Sequence, residues 1–223
     1  MKFFTKKRVV LFLLFIFPLI CFLLLSTGEN NFTKLPVVKE NILDIKEISK
    51  DDRVTFKNNI TILTFLGSDK TKVKSGILNL NEKIYKKFID YKRFQMIGIF
   101  PEGSETEINS LKEDLDEFTD LKKWKFVEAT SDNIKKLFNT LDSKSILDNG
   151  AISEAYIIDK DGNLRGRLTD EDKPDGKIIG YNLNSVSELN GKMKDDISVL
   201  FYEYYAAFKV KNKNKADRKE VGL

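Results

Sequence analysis

The chain has 223 residues, 38 Lys and Arg against 34 Asp and Glu, a hydrophobic share of 41%, no histidine and one cysteine. Those counts exclude a Ser-His-Asp triad, a histidine metal ligand, an intramolecular disulfide and a Cys-x-x-Cys redox pair. The surplus of positive charge sits at the two ends, at Lys2, Lys6, Lys7 and Arg8 and again beyond Lys209, and the stretch between is mildly acidic. A nucleic-acid-binding face is therefore not expected.

VVLFLLFIFPLICFLLL, Val9 to Leu25, is an unbroken apolar run of 17 residues that contains the lone Cys21. That length is at the short end for a spanning helix and exceeds the core of a signal peptide. Residues 9–26 are read as a transmembrane anchor in the lipid bilayer. Residues 1–8 form its cytoplasmic basic flank, and everything after Leu25 is placed outside. The rival is a cleavable signal ending at Ser26-Thr27-Gly28. Bulky Ile20 before Cys21 argues against lipoprotein processing.

Residues 27–59 read as a polar stalk in which Ile42, Ile45 and Ile48 pack a short helix onto the domain. Ile60 to Leu66 is apolar and β-branched, a buried strand. A polar loop, Gly67 to Lys74, leads to a helical pattern from Ser75, with Ile77, Leu80, Ile84, Phe88 and Tyr91 at helical spacing. Gln95 to Phe100 is a second strand. Ser104 and Glu107 have capping-box spacing before a helix with Ile108, Leu111, Leu115 and Phe118 on one face. KFVEA after Trp124 suggests a short strand. Ser131 and Asp132 are candidate caps for a helix with Ile134, Leu137, Phe138 and Leu141 inside.

EAYIIDKDGNLRGRLTD then reads as strand, turn, strand, with the turn at Lys160 to Asn163. A closing amphipathic helix places Ile197, Leu200, Phe201, Tyr204 and Phe208 inside, and residues 209–223 form a basic, solvated tail. Early strands separated by helices imply right-handed crossovers and parallel pairing; the late hairpin adds antiparallel strands. The order predicts an α/β, thioredoxin-like three-layer fold with a mixed sheet over residues 60–208, preceded by one transmembrane helix.

Three marks carry a family resemblance: the strand ending in Phe65-Leu66-Gly67 before a long helix, the Asp-x-Asp-Gly turn of YIIDKDGNL, and the terminal amphipathic helix. With the N-terminal anchor, they make the chain resemble the Sco/SenC-type proteins, a membrane-anchored thioredoxin-like family linked to copper delivery and cytochrome c oxidase assembly. The resemblance implies a location at the bacterial inner membrane, single-pass, with the N-terminus cytoplasmic and the domain periplasmic. The family pattern has a Cys-x-x-x-Cys loop after the first strand and a histidine before the hairpin. Carried onto this chain, those positions fall at Ser68, Lys72 and Ala151. Serine, lysine and alanine do not replace thiolate and imidazole toward copper. The site is therefore expected to be degenerate, with no catalytic residue, no metal and no cofactor.

Other patterns are weaker. Ser68-Asp69-Lys70 lacks a positioned base, so a solvated loop is preferred to a nucleophile. Gly67 and Gly76 lack the ending of a phosphate loop. DKDGNLRGRLTD has Leu164 where a calcium loop requires glycine, and the acidic DEDKPDG after it reads as a turn rather than a cation sensor. Arg165 and Arg167 would share one side of the late strand, either as an anion or acidic-partner contact or as charges that blunt a sheet edge. Trp124 is read as a core or rim anchor. Tyr202 and Tyr205 are read as boundary tyrosines, with a contact surface for another membrane protein as the alternative. These readings favour a non-redox binding or assembly factor for a membrane complex, such as a respiratory oxidase, over an enzyme. The alternative is a non-thiol enzyme or small-ligand carrier using carboxylates and lysines near residues 67–72.

Overall fold

The computed structural model describes residues 6–26, 34–49 and 53–220. Lys2, the Thr27-Gly28 part of the cleavage signal and the tail end 221–223 lie outside the described residues. The chain divides into two units, Met1–Thr33 and Lys34–Leu223.

The first unit contains helix α1, Lys6–Ser26, with Pro18 inside it. At 1.5 Å per residue it is about 31 Å long, close to the roughly 30 Å of a bilayer's hydrocarbon core. None of its apolar window is buried against the protein. Its length and composition suit a membrane span; a signal sequence meets the same description.

The second unit is built on a sheet of seven strands. These are β1 (Val37–Lys39), β2 (Ile60–Leu66), β3 (Phe94–Pro101), β4 (Trp124–Ala129), β5 (Ala151–Ile158), β6 (Leu164–Arg165) and β7 (Tyr181–Asn182). Their order is β1-β6-β5-β2-β3-β4, with β7 also on β5. β2, β3 and β4 are parallel, whereas β5 runs antiparallel to β2 and β6 antiparallel to β5. The helices are α2 (Lys70–Leu80), α3 (Lys86–Phe88), α4 (Glu105–Asp116), α5 (Ser131–Thr140) and α6 (Lys194–Glu220). Parallel strands linked by helices, an antiparallel hairpin beyond the first of them and a closing helix make a thioredoxin-like three-layer α/β fold.

The period-2 alternation of the strands separates two cores. Ile60, Ile62 and Leu66 of β2, with Phe94, Met96 and Phe100 of β3, face α2, α4 and α6. Leu63 and Phe65, with Ile97 and Ile99, face α5 on the other side. Both faces of the central strands are covered, which is why they read as continuous apolar runs.

Several sequence expectations need correction. Residues 34–49 and 53–59 are not a stalk: β1 pairs with β6, and Ile42, Ile45, Ile48, Val54 and Phe56 are buried in the α5-side core. The short helix expected there is a single 3-10 turn, Ile45–Glu47, capped by Asp44, with Ile42 and Ile48 packed on either side of it. Helix α2 begins at Lys70, five residues before Ser75, because the Asp69 carboxylate accepts the Thr71 amide at 2.9 Å and caps it. α6 continues to Glu220, so the backbone of 209–220 is helical where a frayed tail was expected.

Ser104 makes no side-chain cap, so the capping box does not form; α5 is capped by Thr130, one residue before the expected Ser131. Phe118 lies past the end of α4 and is exposed. Tyr91 lies past the end of α3 and is 43% exposed, and between α2 and α3 Asn81–Tyr85 forms a π turn. There the Asn81 amide oxygen accepts the Trp124 Nε1–H at 3.2 Å, which fixes Trp124 as a core residue.

Candidate functional site

β2 ends at Leu66, whose partner across the ladder is Ala151. The chain turns at Gly67 with φ +64, and a Cβ there would lie 2.5 Å from the Ala151 Cβ and 2.9 Å from its amide nitrogen. Ser68 follows, then the Asp69 cap. Lys72, on the first turn of α2, reaches Asp148 at 2.5 Å, and Asp148 and Ala151 exchange two backbone hydrogen bonds of 2.9 Å. Ser68, Lys72 and Ala151 are thus gathered at one end of the sheet, although nothing in the local sequence links residue 151 to the other two.

Replacing Gly67 with valine is expected to cost about 2–5 kcal/mol, combining left-handed backbone strain with overpacking against Ala151. Urea unfolding of the full chain in detergent, followed by Trp124 fluorescence, measures it. A change under about 0.5 kcal/mol would show that the two segments do not pack this closely.

The chemistry available here is that of ion pairs. The Asp148 carboxylate holds Lys72 protonated above the usual lysine range. The Thr71 hydroxyl and amide hold the Asp69 carboxyl below its usual range. Lys70 lies on Ser110 and 3.3 Å from Asp114, and Lys74 lies 2.8 Å from the same carboxylate. Lys70, Lys72 and Lys74, the lysines at the start of α2, each lie on a carboxylate.

Beside Ser68 a cavity of about 490 Å³ opens where β3 and β4 end and α4 and α5 begin. Glu102, Ser104, Ser131, Lys135 and Asn149 line it. This is the crevice at the carboxyl ends of parallel strands where open α/β sheets place ligands. Ser104 is only 5% exposed, and its hydroxyl is left without a capping role. These residues were not singled out in the sequence; the signal that would find them is strand direction, which fixes which loops share an edge. Among the described residues, no group of three or more His, Cys, Asp or Glu is placed to hold a metal ion.

Arg165 and Arg167 are not an outward contact. Arg165 Nε donates to Asp159 at 2.7 Å, and its Nη1 lies 3.5 Å from Glu203 and donates to the Leu35 carbonyl. Nor is β6 an edge, since β1 covers it. Arg167 donates to both oxygens of Asp196, at 2.8 and 2.9 Å, and Asp196 also accepts the Tyr181 hydroxyl at 2.6 Å. Both guanidiniums tie the hairpin to α6. The acidic loop is similarly engaged: Asp170 accepts Lys192 at 2.5 Å and lies 3.5 Å from Arg167, and Asp172 lies 2.8 Å from Lys192.

No family model matches the chain, and no curated protein matches it. Among solved structures, a candidate protein disulfide isomerase from Bacteroides thetaiotaomicron is similar at 14% identity, with 78% of this chain and 99% of that chain covered and a TM-score of 0.49. The thioredoxin domain of a thiol-disulfide oxidoreductase from Bacteroides vulgatus is 15% identical over 74% of this chain and 98% of that chain, with a TM-score of 0.42. The soluble domain of Sco1 from Bacillus subtilis is 13% identical over 74% of this chain and 97% of that chain, also with a TM-score of 0.42. The thioredoxin-like assignment rests on strand order and direction, and these likenesses add nothing about activity or partner.

Proposed function

We propose that the chain is a membrane-anchored, exported thioredoxin-fold protein that binds and positions a partner, without thiol-disulfide exchange or copper transfer. The supporting observation is the reacting end of the fold, where Ser68, Lys72 and Ala151 stand; the chain's one cysteine, Cys21, belongs to α1. Through the Sco-type resemblance, the partner class is a membrane complex of the respiratory chain, met at the outer face of a bacterial inner membrane. Pull-down of the full chain from native membranes is expected to recover an oxidase subunit or a maturation factor. The purified chain is expected neither to reduce insulin nor to retain copper through a desalting column. Recovery of neither protein removes the assembly role, and insulin reduction removes the non-redox reading.

A second reading, a small-ligand carrier, is favoured by the cavity beside Ser68 and by the Lys72–Asp148 pair near it. Filling the cavity through Ser104→Trp separates the two: a carrier loses its ligand, whereas an assembly factor that docks elsewhere keeps its partner.

A further inference from the structure

A second cavity, of about 710 Å³, lies at the opposite end of β2, where Asn58 and Ile60 meet α6. Its walls are aromatic. Phe201 packs on Tyr91 with ring centroids 4.4 Å apart, and Lys160 Nζ sits 4.5 Å from the centre of the Tyr204 ring. The Tyr204 hydroxyl is buried without a well-formed hydrogen bond, near the Lys160 backbone amide. Outside this core, Tyr91, Tyr202 and Tyr205 are 43%, 43% and 65% exposed.

Cations frame the aromatic groups. Lys92, Arg93 and Lys160 line the same cavity and are exposed. Arg93 donates to the Asn58 carbonyl at 3.4 Å, and none of the three has a carboxylate partner among the described residues. Of the nearby acids, Asp159 and Glu203 pair with Arg165 and Asp90 lies opposite Lys122 at 3.8 Å, while exposed Asp161 stays beside Lys160 and Tyr204. After Tyr205 the sequence continues with Lys209, Lys211, Lys213, Lys215, Arg218 and Lys219 against Asp217 and Glu220.

The entry of the chain adds a constraint. The Leu35 amide donates to Glu203 at 2.5 Å, on the same turn of α6 as Tyr202 and Tyr204. Only residues 27–34 separate Leu35 from the end of α1, a tether of no more than about 30 Å when fully stretched. Tyrosines flanked by lysine and arginine are the side chains that settle at a lipid headgroup layer, the rings against glycerol and upper acyl carbons and the cations against phosphate.

We propose that this face is a docking surface for an anionic phospholipid bilayer, a reading that rests on the anchored assignment above. An acidic protein would complement the cations but would leave the exposed tyrosines without the apolar layer that a bilayer supplies. Each cation near an anionic surface is worth about fivefold in binding, so losing three weakens docking by about two orders of magnitude and reversing their sign weakens it further.

The test uses the full chain with Cys21→Ser, labelled with a fluorophore through Tyr205→Cys or, as a control, Ile146→Cys. Ile146 is 86% exposed and precedes β5, at the other end of the sheet. The chain is reconstituted into phosphatidylcholine vesicles with or without 30% phosphatidylglycerol, each containing headgroup spin-labelled lipid. The expected result is strong quenching at 205 with phosphatidylglycerol, several-fold less without it, and little at 146 in either. In Lys92→Glu/Arg93→Glu/Lys160→Glu, with circular dichroism unchanged, quenching at 205 is expected to vanish.

Equal quenching at 205 and 146, or quenching indifferent to charge reversal, overturns the proposal. So does a label at 205 that is shielded only in native membranes and crosslinks there to a protein. Flotation of the chain after an alkaline wash reads the anchor separately. Loss of flotation with retained quenching at 205 removes the anchor and keeps the docking face.

Discussion

Between pH 10 and 11 the domain is expected to lose about 2–3 kcal/mol of stability as its tyrosines ionise, and to unfold above that range. Tyr85, Tyr156 and Tyr181 are each fully buried, and burial pushes all three hydroxyls above the ordinary tyrosine value. The neighbouring carboxylates of Glu154 and Asp196 push Tyr156 and Tyr181 further in the same direction. Each folded pKa is raised above its unfolded value near 10, so the stabilisation is complete below that pH and is lost as pH climbs toward the folded values. In that window the unfolded chain binds fewer protons than the folded one; Tyr156 and Tyr181, raised furthest, each contribute a loss of about 1 kcal/mol between pH 10 and 11, and Tyr85 adds in the same direction. The raised Lys72 and Lys192 act with the same sign. Total stability of a domain this size is about 5–15 kcal/mol, so three such residues take a large share. Absorbance at 295 nm and far-ultraviolet circular dichroism should move together. Gradual ionisation of all seven tyrosines near pH 10 with unchanged dichroism would defeat the prediction.

Asp159→Ala is expected to cost about 3–5 kcal/mol, because it strands a charge the fold has built around. Asp159 is fully buried at the end of β5. One of its oxygens accepts the amides of Asp161 and Asn163 at 2.9 Å each, closing the Asp-x-Asp-Gly turn, and the other accepts Arg165 Nε at 2.7 Å. Without it the turn loses its scaffold and Arg165 keeps the Leu35 carbonyl and the longer contact to Glu203. Asp159→Asn should recover part of the loss by retaining an acceptor for the turn amides. If urea unfolding places alanine and asparagine together, within about 1 kcal/mol of the parent, the carboxylate is not the hub described.

The sheet was legible because its signal is local. β2 and β3 are apolar on both faces, and the helices between them repeat at a steady spacing, so crossover connections and parallel pairing follow. Residues 34–49 and 53–59 escaped because their place depends on pairing over long separations: Val37 finds Arg165, and Asp44 caps a single turn while holding Thr55 at 2.7 Å. A three-residue strand and one 3-10 turn give no periodicity to read. The start of α2 had a readable cue, an aspartate before the first turn, that the run of lysines obscured. Arg165 and Arg167 alternated as expected for a strand, yet their partners are 29 to 38 residues away on α6, and no local pattern reveals that. For the site, Ser68 and Lys72 were placed by spacing alone, whereas the Ser104 and Ser131 walls required knowing which strand ends share an edge.

The clasp at the start of the domain also has a mechanical side. Leu35 is held at both of its backbone polar groups, by Glu203 and by Arg165, before the ladder of β1 begins. A pull arriving along the chain from α1 therefore meets this charged clasp first. From there the load passes through Arg165 to Asp159 and into β5, which lies beside β2 at the centre of the sheet. The hydrogen bonds of the three-residue strand β1 are loaded only once this clasp, shared with Glu203 of α6, has given way.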